Sequence, residues 1–185
     1  MRNHHPTPSG REVSFSEQEL IVSKTDLRGI ITYANDVFLR VSGYAESDVI
    51  GAPHNLIRHP DMPRCVFQLL WQTLQEGREI FAYVLNMAAN GDGYWVFAHV
   101  TPSFDRHGTP IGYHSSRRVP HPDALAEVRP LYESLRNEER RHGSARIAAQ
   151  VGTARLNSLL ADQKRDYAQF VFSLSRQTSL DSSLR

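Results

Sequence analysis

Cysteine is nearly missing: Cys65 is the single thiol in 185 residues. That excludes an internal disulfide framework and a zinc site built on several thiolates, and it suits a reducing, cytoplasmic setting. Long apolar runs are missing too. A helical membrane span needs about 18 or more consecutive apolar residues, so no membrane span is expected in this chain. The opening MRNHHPTPSGRE has no apolar core and does not read as a secretory signal. Charge of one sign is also lacking, since 21 Lys and Arg balance 20 Asp and Glu for a net +1. Such a chain has no strong field to draw nucleic acid or an anionic membrane as its principal partner. No nucleophile–base pair, glycine-rich phosphate loop or metal motif is found. His54 and His59, split by Pro60, have no standard zinc spacing. No metal is expected, and no enzyme.

What remains is the composition of a folded protein, 40% hydrophobic and 22% charged. The length allows one ordinary domain and an appendage. Residues 1–19, polar with two prolines, read as a flexible arm. LIVSKT (20–25) and IITYAN (30–35) flank a turn ending in Gly29 and predict a hairpin. Asn35 fits a helix N-cap for DVFLRVSGY, and a second short helix is expected over 46–49. The polar stretch HNLIRHPDMP (54–63) cannot be one regular helix, because Pro60 disfavours helical backbone at His59. From Pro63, RCVFQLLWQTLQEG reads as an amphipathic helix ending at Gly77. Three strands follow at 80–87, 94–104 and 110–119, separated by Asn90-Gly91-Asp92-Gly93 and Asp105-Arg106-His107-Gly108. Of Tyr94 and Trp95, strand alternation turns only one inward.

This order predicts an α+β domain over 20–119, a five-stranded antiparallel sheet with short helices on one face. Residues 120–178 are expected to form a helical tail interrupted near Pro130. Ala149, Thr153, Leu156, Leu160, Gln163, Tyr167, Phe170 and Leu174 repeat at heptad spacing. They predict a coiled coil pairing the tail with a second copy, or a helix packed on its own domain. Residues 179–185 read as a disordered end.

Order and local sequence together resemble a known family. TDLRGIITYANDVFLRVSGY, GAPHNLIRHPDMP, LWQTLQEG, NMAANGDGYWV and PIGYHSSRR are similar, over about residues 20–136, to the PAS sensor domains of bacterial aerotaxis receptors. The resemblance implies a PAS fold and a non-covalently bound FAD whose redox state reports on oxygen or electron transport. It also implies a chemotaxis-type signalling partner. The membrane anchor, HAMP module and methyl-accepting region of such receptors are not in this sequence. Where flavin-binding relatives often carry Trp, Ile80 stands here, which bears on the redox setting of the flavin.

The resemblance makes Arg58, His59 and Asp61 candidate FAD residues. Chemistry agrees in part: Arg is the best bidentate partner for a diphosphate, His59 can donate or stack, and Asp61 could orient either or accept from ribose. A hydrogen-bonded loop without ligand is the competing reading. His54 and Asn55 open the same block and could cap a helix or reach the cofactor. Asn35 and Asn86 match the family pattern, and an amide can both donate to and accept from an isoalloxazine edge. For Asn35, the N-cap is an equal alternative. Trp71, Phe38, Phe67, Tyr83, Leu85 and Trp95 are candidates for an apolar pocket wall. Cys65 lacks the surroundings of a photoactive flavin–cysteine site, so a buried thiol is expected. His99 or His114 as ligand of a haem-based oxygen sensor is one rival, and a cofactor-free dimerisation module is another.

Overall fold

The structure, a computed structural model, describes residues 6–181, with side chains as far as Leu174. Five strands form one antiparallel sheet: β1 Ile21–Thr25, β2 Ile31–Ala34, β3 Ile80–Met87, β4 Gly93–Phe104 and β5 Pro110–Arg118, in the order β2-β1-β5-β4-β3. Between β2 and β3 run α1 Asp36–Ser42, α2 Glu46–Val49, a 3₁₀ turn His54–Ile57 and α3 Arg64–Gln75. The expected elements are therefore present, each within a residue or two of its predicted bounds.

The register fixes which side chains share a face. Ala82, Val84 and Asn86 alternate with Phe81, Tyr83 and Leu85, and β3 pairs Val84 with Val96 and Leu85 with Trp95. The first set looks toward α1–α3. The second forms an aromatic layer on the opposite face, with Phe81 stacked on His99 at 4.1 Å and Tyr83 against Phe97 at 5.0 Å.

Three expectations are corrected. First, the arm is docked. From residue 9 it follows the β3–β4 turn: Ser9 donates to Gly91 O, Glu12 forms a bridge with Gly93, and Arg11 pairs with Asp92 at 3.1 Å. Gly91 is needed there, with φ +87° and Thr7 O only 2.2 Å from where a Cβ would stand. Residues 1–5 lie outside the described residues.

Second, the tail is three helices, α4 Pro122–Glu139, α5 Ala145–Asp162 and α6 Tyr167–Asp181. Pro130 sits inside α4 without breaking it. Anchors stand on both sides of it, Arg129 to Glu12 before and Tyr132 to Tyr83 O after. The heptad seam is divided at residues 163–166, where Lys164 has φ 55°. Leu156, Leu160, Tyr167, Phe170 and Leu174 are buried in the protein's own core. Of the two expected uses of the stripe, these residues take the second, packing on the protein's own domain, which needs the same helical spacing. Of the expected disordered end, residues 179–181 continue α6, and 182–185 lie outside the described residues.

Third, both Tyr94 and Trp95 are buried, because helices cover both faces here. Tyr94 points to the α1–α3 side, while Trp95 lies 6.1 Å from the Tyr132 ring of α4. The free edge of β3 is covered as well. Tyr132 Oη donates to Tyr83 O at 2.8 Å, Leu85 N–H meets Met62 Sδ, and Arg58 bridges to Asn86. An open edge strand invites pairing with another chain; this one is closed.

Candidate functional site

Between the sheet and the short helices lies a cavity of about 330 Å³, at the small end of the ligand-pocket range. Its walls come from three places. The sheet contributes Val84, Asn86, Ala98, Ser115 and Arg117, helix α3 contributes Phe67 and Trp71, and the 3₁₀ turn contributes His54 and Asn55, followed by Arg58.

Five of the eight expected residues therefore border the cavity: His54, Asn55, Arg58, Trp71 and Asn86. Arg58 lies over Phe67, with its guanidinium carbon 4.2 Å from the ring centre. Trp71 meets Tyr113 edge-on at 5.5 Å and also packs on Gly29, whose φ is +77° and whose missing Cβ would stand 3.0 Å from the indole. The turn residue thus leaves room for a wall of the cavity.

Three expected residues are elsewhere. Asn35 Oδ1 accepts from Phe38 N–H and Val22 N–H, and Nδ2 donates to Leu20 O. The amide is engaged as the cap that ties α1 to β1. His59 is buried off the cavity, with Nδ1 accepting the Asp61 N–H at 3.0 Å. Asp61 faces away, toward Arg136 of α4 at 2.5 Å and Arg140, which follows that helix, at 3.3 Å. It orients neither Arg58 nor His59 through its carboxylate. Among the apolar candidates, Tyr83, Leu85 and Trp95 belong to the opposite face, and Phe38 is core beside His54. Ile80 shares the cavity side of β3 but lies beyond the cavity wall.

The residue that sequence reasoning missed is Arg117. It is 4% exposed, yet no carboxylate pairs with it among the described residues. Its Nη2 donates to Ser23 Oγ at 2.9 Å and meets His54 Nε2 at 2.6 Å. Burial pushes its pKa down to about 10, so it is still a cation at neutral pH. Burial, then the nearby Arg117 charge, push His54 down to about 3. A neutral imidazole accepting at Nε2 carries its proton on Nδ1. Strand alternation was the available signal: Tyr113, Ser115 and Arg117 point inward while His114, Ser116 and Arg118 point out.

Four buried side-chain polar atoms lack a partner among the described residues, and three of them are on this cavity: Asn86 Nδ2, Ser115 Oγ and Arg117 Nη1. Each such group costs about 1–3 kcal/mol if left unsatisfied, and a charged one costs more. Grouped on one apolar-walled space, they form a donor-rich patch made for a polar, electron-rich edge of a ligand.

The rival sites do not converge here. Cys65 is fully buried away from the cavity, and burial with the neighbouring Glu139 charge pushes its thiol well above the usual range. His99 stacks with Phe81 on the opposite face, and His114 alternates outward from the cavity side of β5.

Residues 31–117 match the PAS fold family. Over 131 residues, 71% of this chain, the sequence is 40% identical to the aerotaxis receptor of Escherichia coli, spanning 26% of that protein. It is 32% identical over 92 residues, half of this chain, to the nitrogen fixation regulatory protein of Klebsiella pneumoniae, spanning 19% of it. A light-oxygen-voltage domain from a study of a flavin analogue superposes with a TM-score of 0.52 at 23% identity, covering 68% of this chain and 90% of that one. A PAS domain from Colwellia psychrerythraea does so with a TM-score of 0.50 at 19% identity, covering 54% and 85%. At those identities the structural likeness concerns the fold. Among the described residues, no helix is long and apolar enough to cross a membrane.

Proposed function

This chain carries a signal-sensing PAS domain of the aerotaxis-receptor type, and on that premise we propose that it binds FAD non-covalently as a redox or oxygen sensor. In this reading it relays the flavin's redox state to a chemotaxis-type signalling partner in the cytoplasm. The observation that carries the reading is the trio of unpartnered donors, Asn86 Nδ2, Ser115 Oγ and Arg117 Nη1, on an apolar cavity. FAD supplies an isoalloxazine ring whose pyrimidine edge offers carbonyl and nitrogen acceptors and which gains electrons and protons on reduction. The residues fit that group. Asn86 can both donate and accept, while Arg117, lacking a carboxylate, favours negative charge at the edge it meets. Phe67 and Trp71 supply the apolar walls, and neutral His54 holds Arg117 without cancelling its charge. Arg58 and Asn55, on the turn beside the cavity, are suited to the more polar remainder of the cofactor.

Titrating FAD into cofactor-free protein and following quenching of flavin fluorescence tests this. Saturable quenching is expected, with Asn86→Leu weakening it by about tenfold or more, since a buried amide hydrogen bond is being lost. Flavin fluorescence unchanged by a large excess of protein would contradict the reading.

A further inference from the structure

We propose that the C-terminal end of α4 is held in part by two elements that also wall the cavity, the 54–62 block and α3, so that cavity occupancy sets how firmly that end is clamped, with Asp61 as the positioning residue at the joint. The inference rests on the FAD reading above for the identity of the occupant.

The geometry runs from cavity to tail without a gap. His54 and Asn55 border the cavity, and four residues on Arg58 both borders it and bridges by its backbone to Asn86. Arg58 N–H donates to Asn55 O, Met62 N–H to His59 O, and Asp61 N–H to His59 Nδ1. Met62 Sδ accepts the Leu85 N–H. The block from 54 to 62 is thus laced to β3 beside the unpartnered amide of Asn86. At its far end Asp61 receives Arg136 at both its carboxylate and its carbonyl oxygen, and Arg140 at its carboxylate.

The second link is α3. Its N-cap position is Pro63, which has no side chain able to cap. Glu139, the last residue of α4, fills that role: its carboxylate accepts from Arg64 N–H at 2.8 Å and Cys65 N–H at 2.9 Å. Gly152 of α5 leaves room for it, since a Cβ there would lie 2.5 Å from Glu139 Oε1. The same α3 carries Phe67 and Trp71 to the cavity.

The last turns of α4 therefore lean on the 54–62 block and on α3. The part of α4 up to Tyr132 leans on Glu12 and the β3 edge instead, through Arg129 and Tyr132. A ligand that engages Arg58 or wedges against α3 acts on the two supports of the C-terminal end and leaves the Arg129–Glu12 pair in place. Asp61 is the only acid given to Arg136 and Arg140 among the described residues. Without it, two guanidinium groups would face each other beside a buried histidine, and Arg136 Nε is already buried without a partner.

Hydrogen–deuterium exchange of residues 122–142, with and without FAD, tests the proposal on the whole chain. In the native protein FAD slows exchange in the C-terminal half of α4 more than in its first half. Replacing both arginines (Arg136→Gln with Arg140→Gln) leaves FAD quenching intact, speeds that half by about tenfold, and removes the effect of FAD on it. Asp61→Asn loosens the same half, and combined with the arginine changes it adds little, as a shared interaction requires. FAD that binds while α4 exchange stays constant overturns the clamp, as does native exchange in the arginine variant. Absence of quenching is a separate readout: it defeats the proposed cofactor and the coupling to it together.

Discussion

Arg117 and His54 are where single side chains matter most. A buried cation without an acid costs several kcal/mol, so the cofactor-free protein carries it at the expense of stability. Arg117→Met should therefore move two measurements in opposite directions. The urea midpoint of the cofactor-free protein should rise, while FAD affinity should fall by about ten- to a hundredfold, the worth of a hydrogen bond to a charged group. His54 adds a pH dependence of known sign. Its pKa is about 3 in the folded protein against an ordinary 6.5, so the folded state binds fewer protons through that window. Its contribution is fully present above pH 6.5 and is lost as pH falls toward 3. A urea midpoint that falls between pH 6.5 and pH 4 in the native protein, with a shallower fall in His54→Gln, is the expected outcome. A parallel fall in both would assign the dependence to other groups. Arg117 was hard to read beforehand because SSRR offers two adjacent arginines, and only the strand's parity separates the buried one from the exposed Arg118. The carboxylate partners of Asp61 were hard to read for a related reason: Arg58 and His59 are its neighbours in sequence, whereas Arg136 and Arg140 are 75 and 79 residues away at the end of α4.

Among the elements, β3 joins sensor and tail. One face lines the cavity, the other carries the aromatic layer, and its edge is closed by Met62, Arg58 and Tyr132. Tyr132 is the critical closure. Its hydroxyl donates to Tyr83 O and meets Tyr167 Oη at 2.9 Å, so it holds strand, α4 and α6 together. Tyr132→Phe keeps the ring but strands two buried groups. It should cost about 1–3 kcal/mol in equilibrium unfolding, with the amide of Phe172 in α6 losing exchange protection before those of β4. No change in either would mean the hydroxyl is dispensable. The strands were legible because Asn90-Gly91-Asp92-Gly93 and Asp105-Arg106-His107-Gly108 mark their ends and apolar alternation fills them. The docked arm was not legible: residues 9–12 are polar, they are held to the β3–β4 turn by backbone bonds and the Arg11–Asp92 pair, and Glu12 reaches Arg129 of α4. Composition gives no sign of such a hold.

For the whole molecule, the tail is part of the folded unit. Its heptad stripe was visible in the sequence, but spacing cannot say whether a stripe meets a second copy or its own sheet. The structure directs it inward: Leu156 and Leu160 pack with α3, α4 and the core, while Phe172 meets Phe81 at 4.9 Å. The cavity lies on one face of β3, and the aromatic layer that meets Phe172 of α6 lies on the other. The account turns on what fills that cavity. Its most direct test is the visible absorption spectrum of the purified protein, taken aerobically and again after chemical reduction. A yellow protein with a flavin spectrum that bleaches on reduction, and whose released cofactor is FAD, is the predicted result. A colourless protein that takes up no added FAD would contradict it.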